Sequence, residues 1–201
     1  MKIFKSPVLL LLLFLASCMN DNSFTPRRKG YFRIAFPEKQ YISYNKDCPF
    51  TFEYPVYAQV FPDTEKSAEP YWLNIVYPRF RAKIYLSYKA VNGNLNQFIE
   101  QSRMFAVKHE VKASAIDEHD YADTVNKVYG LVYDIAGDAA SNMQFYLTDS
   151  TKNFIRGALY FYSVPNKDSL DPVLKFIKVD IDHMVKTFRW KTTDINPGIV
   201  N

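Results

Sequence analysis

Glycine is scarce in this sequence, with 6 in 201 residues. None stands in GxGxxG or GxxxxGK spacing, so a phosphate-cradling nucleotide loop is not indicated. Histidine is scarcer still, occurring only as His109, His119 and His183. With no Gly-x-Ser-x-Gly elbow beside them, a serine hydrolase has little to be built from. HExxH, CxxC and EF-hand spacings are missing too, which removes the common metal motifs. The formal net charge is only +4, too weak a basic field to point to nucleic acid. The apolar run at residues 8–16 falls well short of the about 20 residues with which a helix crosses a bilayer.

That short run nevertheless sits in a telling order. Lys2 and Lys5 precede it and Leu15, Ala16, Ser17 and Cys18 close it, the arrangement of a secretory signal from charged end to cleavage site. A small-residue site ending in cysteine resembles the bacterial lipobox, in which the thiol becomes a thioether to diacylglycerol before cleavage and the freed amine is acylated, commonly with palmitate. Several chains are needed because one acyl chain holds a membrane only marginally. The expected organisation is a lipoprotein signal peptide at 1–17, a lipid-anchored flexible tether at 18–30 beginning at lipidated Cys18, one α+β domain at 31–191 and a tail at 192–201. The tether, with Pro26, Gly30 and little apolar content, reaches at most about 40 Å. Its Arg27, Arg28 and Lys29 fall where anionic headgroups could be met. Cys48 has no intramolecular disulfide partner once Cys18 carries lipid, and reads as a buried small hydrophobe or a thiol left for another chain.

Period-two apolar patterns mark half-buried strands: Phe32, Ile34 and Phe36; Phe50, Phe52 and Tyr54; Val56, Ala58 and Val60; then residues 71–77, apolar on both faces, followed by Ile84, Leu86 and Tyr88. After Asn92 and Gly93 the period changes. Leu95, Phe98, Ile99, Ser102, Phe105 and Ala106 share a helical face, with Asn94 placed as N-cap. Strand character returns at Val111, Ala113 and Ala115, and at 128–135 beyond a polar stretch at 117–127. Met143, Phe145 and Leu147 then pair across the turn 149–152 with residues 154–162 as a hairpin. A closing helix from Ser169, with Pro172 in its first turn, carries Val173, Leu174, Ile177, Ile181, Met184, Val185 and Phe188 at spacings of three and four. Short links between strands predict a mainly antiparallel sheet, with both helices on one of its faces.

The candidates for chemistry are few. Ser150 is the best-placed hydroxyl, but it lies in a turn where Asp and Ser are expected for backbone reasons. Asp117, Glu118, His119 and Asp120 offer ligand types without ligand spacing, and read as a solvated acidic loop. No catalytic, cofactor-binding or metal residue is assigned. What the sequence has in excess is aromatic rings, 15 Tyr and 16 Phe. Most suit the core of a sheet, and a minority of tyrosines would serve an exposed binding face.

Five phrases, GYFRIAFPEKQY (30–41), DCPFTFEYPVYAQV (47–60), AEPYWLNIVYPRF (68–80), QFYLTDSTKNFIRGALYF (144–161) and PNKDSLDPVLKFIK (165–178), together with the lipobox, resemble the GldD-type gliding-motility lipoproteins of Bacteroidota. The order of elements is similar to the PsbP and Mog1 folds. The resemblance implies a non-enzymatic envelope accessory for gliding and for the linked type IX secretion system, held by the lipid on Cys18 and facing the periplasm. Its expected partners are the membrane and other motility or secretion proteins, with no nucleic acid and no cofactor. Such a scaffold should show an aromatic or polar surface patch and no deep site. The alternative is an envelope lipoprotein that binds a small ligand such as a lipid or peptidoglycan fragment, which should show an apolar pocket.

Overall fold

The computed structural model describes residues 34–162 and 167–191. The signal, Cys18, the tether, Phe32 and the tail at 192–201 lie outside them. Among the described residues, ten strands and two long helices follow one another. Strands β1 (Tyr41–Tyr44), β2 (Phe50–Pro55) and β10 (Arg189–Trp190) form a small antiparallel sheet in the order β1-β2-β10. The other seven are β3 (Gln59–Pro62), β4 (Leu73–Tyr77), β5 (Ala82–Ala90), β6 (Ala113–Asp123), β7 (Val128–Gly137), β8 (Ser141–Thr148) and β9 (Asn153–Phe161). They build an antiparallel sheet in the order β3-β4-β5-β9-β8-β7-β6. Helix α1 (Leu95–Val107) joins β5 to β6 and helix α2 (Lys167–Thr187) joins β9 to β10. The α+β class and the antiparallel sheet agree with the sequence reading.

Register defines the two faces of the large sheet. Ile75 lies opposite Ile84, Ile84 opposite Leu159, and Leu159 opposite Met143. This row, with Leu73, Leu86, Phe145 and Leu147, is buried. It faces α2, whose Val173, Ile177, Ile181, Met184 and Val185 are buried at helical spacing. Gly157 sits in the same layer, where an added Cβ would overlap the Phe145 ring at 2.1 Å. On the other face, Ala106 of α1 packs with Tyr133, Ile135 and Ala139, and Phe98 meets Phe154 at 5.4 Å between ring centroids. The helices therefore cover opposite faces, not one face as expected. The reason lies in β8, where seven of eight residues are buried: a central strand apolar on one side and tightly covered on the other needs a helix over each.

Other expectations are corrected locally. Residues 117–120 belong to β6, an edge strand polar on both sides, so the acidic segment is not a loop; an edge strand needs no apolar alternation and is protected by charge. The turn occupies only residues 124–127. Residues 35–40 are not a strand and 56–58 form a turn before β3. Asn94 is the N-cap of α1 by position, but its Oδ1 accepts the N–H of Asn92 at 2.9 Å instead of capping the helix. His109 lies in the turn beyond α1. Because α2 starts at Lys167 and not Ser169, Pro172 is inside the helix, and the carbonyl four residues back loses its usual donor.

The polar centre of the fold is Asp180, whose side chain is 0% exposed although it lies on the inner stripe of α2. Its Oδ1 accepts from Lys39 Nζ at 2.6 Å and from Tyr41 at 3.0 Å, while Tyr57 donates at 2.8 Å. Lys39 also donates to the Phe176 carbonyl at 2.7 Å and stands 3.2 Å from the Phe176 ring centroid. Burial, aided by the Asp180 carboxylate, holds the phenols of Tyr41 and Tyr57 well above their ordinary range. Four groups thus tie the segment before β1, the turn after β2 and α2 into one contact. An Asp180→Ala variant should lose about 3 kcal/mol of stability, since it strands buried partners; a urea-unfolding loss under about 1 kcal/mol would contradict this role.

Candidate functional site

The residue types that sequence singled out are dispersed. His183 Nε2 lies 2.6 Å from Glu53 Oε2, and its ring stacks on Tyr41 at 3.6 Å, clipping α2 to β2. The Thr187 hydroxyl beside it accepts from the Glu53 N–H at 3.1 Å. Asp117 and His119 project to one side of β6, Glu118 and Asp120 to the other, because consecutive strand residues alternate. Cys48 is 4% exposed and its thiol donates to the Phe50 carbonyl at 3.0 Å. Burial pushes that thiol up, so it is a poor nucleophile. Among the described residues no cluster of three His, Cys, Asp or Glu side chains is arranged around a common ion position.

Ser150 is held by its turn. It adopts φ of 64°, and its N–H donates to Thr148 Oγ1 at 3.0 Å. Asp149 Oδ1 accepts the N–H groups of Thr151, Lys152 and Asn153 at 2.9, 2.8 and 2.9 Å, and its Oδ2 accepts from the Asn153 amide at 2.7 Å. The polar residues here close the β8–β9 hairpin.

Among the described residues, two surfaces offer room for a partner or ligand. One is a cleft of about 320 Å³ between α2 and the edge strand β6. Val132, Met143 and Val185 are apolar contributors to its lining, with His119, Asp120, Lys178, Asp182 and Lys186 among the polar ones. Lys178 is engaged by Asp134 at 2.5 and 2.6 Å. Burial pushes the Asp182 carboxyl up, against the pull of Lys186 and Lys178.

The second is the part of the sheet face that α1 leaves bare. On β4, β5 and β9 it presents Asn74, Val76, Lys83, Tyr85, Arg156 and Tyr160, which alternate with the buried row under α2. Phe61 and Tyr162 are exposed at its margins. The Lys83 amine stands 3.8 Å from the Tyr85 ring centroid, and Tyr85 meets Tyr160 edge-on at 5.6 Å. This is an aromatic and cationic patch of the kind that protein contacts favour.

The family model for gliding motility lipoprotein GldD matches residues 21–190. The chain belongs to that family. No curated protein matches it. Among solved structures, the solution structure of cyanobacterial PsbP (CyanoP) from Synechocystis sp. PCC 6803 is similar, with 10% identity and a TM-score of 0.47 over 80% of this chain and 98% of that one.

In this GldD-family chain, sequence reasoning missed Asp180, Lys39, Arg156 and Gln144. A signal existed for the first: Asp180 interrupts the apolar stripe between Ile177 and Ile181. For the others, ordinary polar residues in strands, or for Lys39 in the segment before β1, gave none. The turn reading carries its own test. Burial raises the Asp149 carboxyl, but the hydrogen bonds from Asn153, Thr151 and Lys152 outweigh it and the net shift is downward. A depressed folded-state value stabilises at neutral pH, and the contribution is lost as pH falls below about 4. Asp149→Ala should therefore cost about 1–2 kcal/mol at pH 7 and flatten that part of the acid profile. Ser150→Gly should hold or raise stability by about 1 kcal/mol, because glycine tolerates the left-handed backbone. A folded Ser150→Gly protein without motility function would contradict the structural role.

Proposed function

We propose that this protein is a non-enzymatic lipoprotein of the cell envelope, anchored by the lipid on Cys18 and facing the periplasm, that acts as an accessory or scaffold for gliding-motility components and is linked to type IX secretion. The family match over residues 21–190 carries the reading. The bare aromatic and cationic sheet face supports the docking part of it. No helix of the described residues is long and apolar enough to cross a membrane, and the lipid supplies attachment in this proposal. Confinement within a tether of about 40 Å raises the effective concentration toward any partner in the same layer.

A second reading has one observation in its favour. The cleft beside β6, about 320 Å³, reaches the lower end of the roughly 300–1,000 Å³ typical of small-ligand pockets. An envelope lipoprotein that carries a lipid or peptidoglycan fragment would use it.

Cys18→Ala separates anchor from domain. The variant should lose its acyl mass and leave the membrane fraction, and cells relying on it should glide poorly although the domain is folded. Membrane retention with the signal removed, or gliding at the wild-type level from a soluble form, would contradict the proposal.

A further inference from the structure

Where α1 ends and the bare sheet begins, Ala158 sits at the centre of a ring of polar and aromatic side chains. Its cross-strand partners are Tyr85 and Gln144, and Arg156 and Tyr160 flank it on the same face of β9. Arg156 Nη2 donates to Gln144 Oε1 at 2.5 Å, and the guanidinium carbon lies 4.6 Å from the Phe105 ring centroid. No ion pair among the described residues includes Arg156. Two donors in the cluster, Arg156 Nε and Gln144 Nε2, are buried and lack an acceptor. Gln144 itself is 1% exposed.

Such an arrangement is costly. A guanidinium drawn out of water without a carboxylate, beside unpaired amide and guanidine donors, recovers only part of its hydration from the Gln144 carbonyl and the Tyr160 hydroxyl. The C-terminal pole of α1, near Phe105, offsets only about half a charge. His109 in the following turn is held below its ordinary range, first by burial and then by the Arg156 charge. The Arg156 charge is thus felt at His109.

We propose that Arg156, held by Gln144 and flanked by Tyr160, anchors a carboxylate: an acidic side chain of a protein that docks on this face of the seven-stranded sheet. This deepens the docking reading above, on which it rests, by naming the chemistry of one contact. A guanidinium fork matches a planar carboxylate. The neighbouring cations on this face are already occupied: Lys83 by the Tyr85 and Tyr162 phenols, Lys89 by Glu69. One uncompensated charge fits a monoanion better than a dianionic phosphate. Tyr85, Tyr160, Val76 and Phe61 supply the flat apolar area around it that a peptide needs and a free ion does not.

The test uses the full-length lipoprotein in detergent micelles and three probes: N-acetyl-glutamyl-tyrosinamide, its glutaminyl counterpart and inorganic phosphate. Resonances of Arg156 Nε–H and the Gln144 amide are followed by NMR, with the His109 ring as a reporter. The glutamyl probe should shift both signals saturably and raise the His109 pKa, because the bound anion screens Arg156. The glutaminyl probe should need at least about tenfold more to do so. Arg156→Gln should abolish the saturable response and raise the His109 pKa without ligand. If that variant does not fold, Arg156→Lys keeps the charge and stem, and should bind the glutamyl probe more weakly. Equal responses to both dipeptides, a response that survives these changes, or saturation by phosphate with none by the glutamyl probe would overturn the proposal. In cells, folded and lipidated Arg156→Gln protein should support gliding poorly. Normal gliding by that strain, where a deletion strain is immobile, would remove the anchor and leave the motility reading standing.

Discussion

The buried Asp180 carboxylate is the constraint around which the rest of the molecule is arranged. A charge taken out of water is tolerated only where opposite charge and donors meet it, and here they arrive from positions far apart in sequence: Lys39, Tyr41 and Tyr57. The contact fixes where α2 can lie. Once it is placed, Lys178 reaches Asp134 on β7, His183 reaches Glu53 on β2, and Phe188 stacks on Phe50 at 5.6 Å. The chain then returns to pair Arg189 with Thr51 and Trp190 with Phe50. The small sheet and the cover over one face of the large sheet are thus settled together.

That placement has a consequence for function. The 21-residue α2 is spent on one face of the seven-stranded sheet, while α1, 13 residues long, covers only the β7–β9 side of the other. Strands β3, β4 and β5 present half-buried Val76, Lys83 and Tyr85 on that face, with Phe61 exposed at its margin. Burying Leu73, Ile75, Ile84 and Leu86 on the opposite face stabilises this surface from behind. A rigid sheet that displays side chains on one face suits recognition in the role proposed above. Ser150 is held in the β8–β9 turn, His183 in the Glu53 clip, and Asp117 to Asp120 lie on the edge strand β6.

Much of this was legible in the residues themselves. Alternation in Phe50, Phe52 and Tyr54, in Ile84 and Leu86, and in Met143, Phe145 and Leu147 reports strands because one face of each is buried. Spacings of three and four from Val173 to Val185 report α2 for the same reason. Legibility failed where burial was not one-sided. β6 is polar on both sides and gave no period, and β10 is only two residues long. The opposite placement of the helices depended on Gln144 and Thr148 being buried beside Phe145 and Leu147, which polar residue types do not announce. Of the candidate surface, the excess of tyrosine hinted at an exposed face. Arg156 and Gln144 carried no mark, because an unpaired donor is a property of three-dimensional neighbours and not of residue type.

The family match gives the motility assignment, and the structure gives a domain whose open surfaces suit docking. The most direct measurement is the gliding of a strain from which the gene has been deleted, scored with its secretion of surface proteins and then with the full chain restored. The account predicts cells that neither glide nor secrete surface proteins normally, both recovered on restoration. Normal gliding and secretion in the deletion strain would contradict it.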